Sequence, residues 1–170
     1  SFIYIQRWKY CLQSTTTILD AVCEHCTNLR YFECDAEIGS TEQLTSVFTS
    51  SPFLETIIIR NKRILLNINE LLEQVKLIRL CYLELEGPMK FSSEALDTFL
   101  RRSKPPLYTF VLINSQCFED EHLEVLLQHL SGTLCKIDLK GTHKRLSKDL
   151  RNQTRQVVKD FYYKTMDRAA

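Results

Sequence analysis

The stretch Leu80-Cys-Tyr-Leu83-Glu-Leu85-Glu-Gly87 opens on a leucine, places apolar residues three and five positions later, and closes on a small residue. Apolar residues at alternate positions mark a strand that buries one side. The same frame returns at Leu29-Phe32-Cys34-Ala36, Leu54-Ile57-Ile59-Asn61, Leu107-Phe110-Leu112-Asn114 and Leu134-Ile137-Leu139-Gly141. Successive leading leucines stand 25, 26, 27 and 27 residues apart. One such frame arises easily by chance. Five at nearly constant pitch predict one structural unit stacked in sequence order, because a unit this short cannot bury its apolar face alone.

Between the frames the apolar spacing changes from two to helical: Ile18 and Val22; Leu44, Val47 and Phe48; Leu71, Leu72 and Val75; Leu96, Phe99 and Leu100; Leu123, Leu126, Leu127 and Leu130. Two linkers align closely, Phe91-Ser-Ser-Glu-Ala-Leu96-Asp-Thr-Phe99-Leu100 with Phe118-Glu-Asp-Glu-His-Leu123-Glu-Val-Leu126-Leu127. Their acidic first turns suit helix N-termini. Each unit therefore reads as a strand followed by a helix, at the ~20–29-residue pitch of leucine-rich repeats. The expected fold is α/β: a leucine-rich-repeat solenoid with a curved parallel sheet of about six strands, helices on the convex side, and a C-terminal capping helix. Residues 1–141 form its arc, about five repeats plus a partial N-terminal one, and residues 142–170 form a basic amphipathic capping helix and tail.

Cys26-Thr-Asn-Leu29 and Ser51-Pro-Phe-Leu54 resemble the "C-P-x-L" opening of the cysteine-containing repeats of F-box/leucine-rich-repeat proteins, and Phe118-Glu-Asp-Glu-His-Leu123 is similar to their "I-T-D-x-x-L" descent into the helix. The resemblance covers roughly residues 2–141. It implies a substrate receptor of an F-box type ubiquitin ligase, with a Skp-type adaptor on the N-terminal side and the repeat arc holding the substrate.

At 170 residues, 44% hydrophobic and 25% charged, the composition is that of an ordinary globular domain with a buried core. Apolar runs are broken by Lys, Arg or Glu well short of the ~20 residues a membrane span needs. Seven cysteines, an odd number scattered through the repeats, fit buried thiols of a reducing compartment better than a disulfide framework. The expected location is intracellular, cytoplasmic or nuclear. Ile3 and Ile5 already occupy the apolar positions of a further strand, so the chain is expected to begin inside the array, with more protein or a neighbouring subunit beyond it.

Reactive constellations are sparse. Cys23-Glu-His-Cys26 has the spacing of two zinc ligands, but no second C-x-x-C or H-x₃₋₅-H pair completes a tetrahedral set. Four glycines build no phosphate-cradling loop, and neither H-E-x-x-H nor G-x-S-x-G is present. Glu119-Asp120-Glu121 reads as a helix N-terminus rather than a carboxylate catalyst. The expectation is a non-catalytic chain with no cofactor and no metal.

Attention therefore falls on the residues between the buried strand positions, which must face the other side. They fall in three rows: Phe2, Tyr31, Thr56, Tyr82, Thr109, Lys136; Tyr4, Glu33, Ile58, Glu84, Val111, Asp138; and Gln6, Asp35, Arg60, Glu86, Ile113, Lys140. Exposed Ile58, Val111 and Ile113 beside Tyr82 would form an apolar patch rimmed by Glu84, Glu86 and Arg60, the anchor-and-rim layout of a protein interface, with Tyr31 as a further anchor and Glu33 and Asp35 as further carboxylates. The carboxylates favour a basic partner segment and disfavour nucleic acid on this face.

Residues 1–139 carry 13 basic and 18 acidic side chains, residues 140–170 carry 9 and 3. In that basic tail Leu146, Leu150, Val157, Val158, Phe161, Tyr162 and Met166 fit one side of a helix from about 148 to 166, with Lys148, Arg151, Arg155 and Lys159 on the other. It reads as a cap over the last repeat, whose basic side is also suited to an acidic partner, RNA or a membrane surface. The alternatives to a ligase receptor are a structural subunit of a larger assembly and an RNA-associated adaptor acting through this helix.

Overall fold

In all five frames the apolar residues three and five positions after the leading leucine turn into the core of a strand-and-helix structure. The computed structural model describes residues 2–5, 15–35, 41–61, 65–142 and 145–165. Gln6, Ala36 and Met166, assigned above to an outward row, a frame and a helix, lie outside them. Along the chain come β1 (Phe2–Ile5), α1 (Thr15–His25), β2 (Tyr31–Asp35), α2 (Thr41–Ser50), β3 (Thr56–Arg60), β4 (Leu66–Asn67), α3 (Asn69–Gln74), β5 (Tyr82–Glu86), β6 (Met89–Lys90), α4 (Ser93–Ser103), β7 (Thr109–Ile113), α5 (Asp120–Leu130), β8 (Lys136–Thr142), α6 (Lys148–Val157) and β9 (Asp160–Thr165).

Seven strands form one sheet in the order β1-β2-β3-β5-β7-β8-β9, and every neighbouring pair is parallel. The geometry follows from the linkers, since a parallel neighbour needs a crossover long enough for a helix. A two-stranded parallel ladder, β4 with β6, lies outside that sheet and was not legible as a strand pair.

The leading leucines, Leu29, Leu54, Leu80, Leu107 and Leu134, are buried just before their strands. Phe32, Cys34, Ile57, Ile59, Leu83, Leu85, Phe110, Leu112, Ile137 and Leu139 share one apolar cluster with Leu44, Phe48, Leu71, Leu96, Phe99, Leu123 and Leu126 from the helices. The helices thus cover that face of the sheet, each against the next from α1 to α6. In α1 it is Leu19 with Val22 that is buried, while Ile18 is only partly so.

The Gly or Asn closing the last three frames has a backbone cause. Gly87 (φ +105°), Asn114 (φ +59°) and Gly141 (φ +66°) are left-handed, a region that Gly and Asn enter at least cost. Asn61, Gly87 and Asn114 each donate a backbone N–H at 2.7 Å to the end of the next strand of the sheet, at Glu86, Ile113 and Lys140. A Cβ on Gly87 would run into the Asn61 carbonyl.

The C-terminal region differs from expectation. The helix ends at Val157, and Asp160–Thr165 is a seventh strand parallel to β8. Val158, Phe161 and Tyr163 repeat the leucine frame 24 residues after Leu134, with valine in the leading place. Val158 is buried, while Val157 and Tyr162, assigned to the apolar side of a helix, are 44% and 55% exposed. No helix among the described residues is long and apolar enough to cross a membrane.

Candidate functional site

Strand register places the outward rows side by side as the alternation requires. Tyr31, Thr56, Tyr82, Thr109, Lys136 and Asp160 are successive Cα partners; so are Glu33, Ile58, Glu84, Val111, Asp138 and Tyr162; so are Asp35, Arg60, Glu86, Ile113, Lys140 and Lys164. This open face is opposite the helix-covered core, and Val111, buried on it, stands outside the core cluster.

Its charges are largely engaged with one another. Arg60 on β3 pairs with Glu33 on β2, and with Glu84 at 3.8 Å and Glu86 at 3.2 Å on β5. The Tyr31 hydroxyl donates to Glu33 and the Tyr82 hydroxyl to Glu84, each two residues along its own strand. Glu33 and Arg60 hold each other in their charged forms. Burial pushes the Glu33 carboxyl up, but hydrogen bonds from Tyr31 and Arg60 more than offset this and hold it below its usual value. The Glu33 hydrogen bond in turn raises Arg60. The hydrogen bond to Glu33, followed by burial, pushes the Tyr31 phenol up to about 12, while burial and then Glu84 raise Tyr82. Both tyrosines are neutral donors at neutral pH.

This pairing revises the sequence picture of an apolar patch with a free acidic rim. Tyr31, Ile58, Tyr82 and Ile113 are half-buried on the open face, but Val111, expected to be exposed, is only 5% exposed between Glu84 and Asp138. Glu33, expected as a carboxylate open to a basic partner, is likewise buried, at 8% exposure, and is engaged by Arg60 and Tyr31.

Asp138 is the residue that sequence reasoning placed in its row without giving it a role. It is 6% exposed; Oδ2 accepts from Lys140 Nζ at 2.8 Å, and Oδ1 is buried with no hydrogen bond. The sequence signal was its place in the middle row, next to Val111 and two strands from Glu84.

The four basic residues of the tail do not share one helix side. Lys148, Arg151 and Arg155 lie in α6, whereas Lys159 precedes β9. Arg151 lies over the Tyr163 ring at 5.5 Å and Arg155 over Phe161 at 5.8 Å, so these two guanidinium groups cover the half-buried aromatic pair. Arg145, Arg151, Tyr163, Lys164 and Thr165 border a shallow basic depression beside them.

Other candidates resolve into structural parts. Glu119 caps α5: its side chain takes the His122 backbone N–H, and its own N–H donates to His122 Nδ1 at 3.3 Å. The His122 Nε2 contact with the Phe91 carbonyl at 3.0 Å is then a donated hydrogen bond. Asp120 accepts the Ser147 N–H at 2.9 Å, tying α5 to the start of α6. Cys23 is hydrogen-bonded to Ser50 at 3.9 Å.

No family model, curated protein or solved structure matches this chain, so the reading of its open face rests on the geometry described above.

Proposed function

We propose that this chain is a leucine-rich-repeat solenoid acting as a non-catalytic protein-recognition module, with a partner lying across the open face of the sheet. What carries the reading is the register of the outward rows. It presents Tyr31, Ile58, Tyr82 and Ile113 half-buried on one surface, among charges whose orientation is fixed by pairing to Arg60. Aromatic and β-branched anchors between oriented charges suit protein contact, the former for burial and the latter for register. Over β2, β3 and β5 the carboxylates at 33, 35, 84 and 86 outnumber Arg60, which favours a basic partner segment there and makes that stretch a poor one for nucleic acid.

Within this reading, the resemblance to F-box/leucine-rich-repeat proteins favours the substrate receptor of a ubiquitin ligase, in an intracellular compartment, with a Skp-type adaptor bound on the N-terminal side. The second reading is a structural subunit of a multiprotein assembly. The parallel edge strands β1 and β9 favour it, since such edges are suited to stacking against another chain.

The test is affinity purification of the tagged gene product under native conditions, alongside the double variant Tyr82→Ala/Ile113→Asp. Recovery of a Skp adaptor and a cullin, with one further protein lost in the double variant, is the expected result. A fixed assembly without ubiquitin machinery, unchanged by the two substitutions, would replace the receptor with the subunit.

A further inference from the structure

The seventh strand reverses the charge of the open face at one end. Over β2, β3 and β5 the outward rows carry Glu33, Asp35, Glu84 and Glu86 against Arg60. Over β8 and β9 they carry Lys136, Lys140 and Lys164 against Asp138 and Asp160. Lys140 and Lys164 are direct Cα partners, and like charges set opposite each other on neighbouring strands destabilise a sheet. Asp138 is bonded to Lys140, and Lys164 enters no ion pair among the described residues.

The cations continue around β9 onto α6. From Arg145 to Thr165, the basic residues Arg145, Lys148, Arg151, Arg155, Lys159 and Lys164 stand against Asp149 and Asp160 only. None of these cations enters an ion pair among the described residues, whereas Arg30, Arg60 and Arg101 all do. Arg145, Arg151 and Lys164 border the shallow depression together with Tyr163 and Thr165, and no carboxylate among the described residues lines it. Arg151 is held there by its place over the Tyr163 ring and by an Nε–H bond to the Ser147 carbonyl at 3.3 Å. A guanidinium fixed through its Nε–H keeps its terminal N–H groups for phosphate oxygens.

Beside the depression stands an aromatic ring open to solvent. Tyr162 is 55% exposed on the outward side of β9, with Lys136 Nζ 5.8 Å from its ring centroid. Tyr162 and Lys164 share that side two residues apart, about 6.5 Å along the strand, close to one nucleotide of an extended single strand.

We propose that this end of the molecule binds single-stranded nucleic acid, with a phosphate seated among Arg145, Arg151 and Lys164 and the neighbouring base stacked on Tyr162. Cations that track a backbone beside an aromatic platform hold single strands without reading their sequence. An acidic peptide would meet the cations and leave the ring unused. A membrane surface would need an apolar helix face, and α6 turns Leu150 inward. The carboxylate-rich stretch over β2, β3 and β5 takes no part, so the reading of that stretch as a protein-recognition surface is tested separately.

The probes are fluorescein-labelled oligouridine and oligothymidine of about twelve nucleotides, within the site sizes of single-strand binders, followed by fluorescence anisotropy across a salt series. Labelled deca-glutamate is the polyanion without bases. Both oligonucleotides should bind, and deca-glutamate at least about tenfold more weakly, the least that one stacked base contributes. Tighter binding of oligouridine would name RNA as the strand, and of oligothymidine DNA. About four phosphate contacts give a slope of log K against log salt of about −3. Arg145→Gln/Lys164→Gln should weaken binding and flatten that slope by about 1.4, the share of two contacts. Tyr162→Ala should weaken binding about five- to hundredfold with the slope unchanged, since stacking releases no counterions. Lys90→Gln removes an exposed cation from β6 and should change neither. All four altered side chains are exposed, so the variants keep the fold.

No binding of either oligonucleotide, deca-glutamate bound as tightly as they are, or equal losses with Lys90→Gln and the double variant would overturn the site. Undiminished binding by Tyr162→Ala would overturn the stacked base, and with it single-stranded nucleic acid as the ligand.

Discussion

Over β2, β3 and β5 the charges of the open face are tied to one another, with Arg60 held by Glu33, Glu84 and Glu86, whereas over β8 the buried Asp138 carboxylate is held by one exposed lysine. Both regions are made by the same strand frame and sit on the same helix-backed core. Only the outward residues differ. The same strand frame can thus tie the charges firmly along one stretch of its face and loosely along the next, with no change in backbone.

The comparison depends on alternate residues facing opposite ways, and the largest effect tests that. Leu83→Asp puts a carboxylate into the core beside Leu85 and should unfold the domain, at a cost above about 4 kcal/mol. The adjacent Glu84→Lys gives up the Tyr82 hydrogen bond and a 3.8 Å ion pair, and should cost about 1 kcal/mol with the fold kept. Thermal melts followed by circular dichroism separate the two. Equal losses would mean the rows are misassigned and the contrast between the two regions void.

Arg60→Ala comes next. It removes the cation from three carboxylates, leaving Glu33 buried with only Tyr31 to satisfy it, and should cost about 2 kcal/mol. The dependence on pH sharpens this. Glu33 in the folded chain lies below its usual 4.5, so its charge stabilises the fold above that pH and the contribution is lost as pH falls through the lowered value. Arg60→Ala and the unaltered protein should therefore differ most in melting temperature near neutral pH and draw together in acid. A gap that persists undiminished at roughly pH 2 would show that Arg60 acts through packing rather than charge.

How much of this could be read from the residues follows from what they encode locally. The strands and rows were legible because Leu83 and Leu85 alternate with Tyr82, Glu84 and Glu86, and a period of two allows only one assignment of faces. The seventh strand was not, because Val157, Val158, Phe161 and Tyr162 also fit a helical stripe and the leading leucine is replaced by Val158. Pairing was legible only in part: the rows put Arg60 beside Glu86, but its reach across to Glu33 depends on a side chain long enough to cross a strand. Val111 was misjudged because an outward position still becomes buried when it is flanked on both neighbouring strands, here by Glu84 and Asp138. That Asp138 is buried with one oxygen lacking a hydrogen bond has no signature in sequence at all.

The smallest effect bears most directly on the contrast. Lys140 makes one hydrogen bond, to Asp138 Oδ2, from a side chain that is 56% exposed, so its charge is screened and its geometry is held by little else. Lys140→Gln should therefore leave the melting temperature of the free protein almost unchanged, where Arg60→Ala lowers it by several degrees. If the two substitutions were equally damaging, Asp138 would be as firmly held as Glu33 and the two regions would be alike. An unchanged melt leaves Asp138 held by one screened lysine and keeps the two regions distinct.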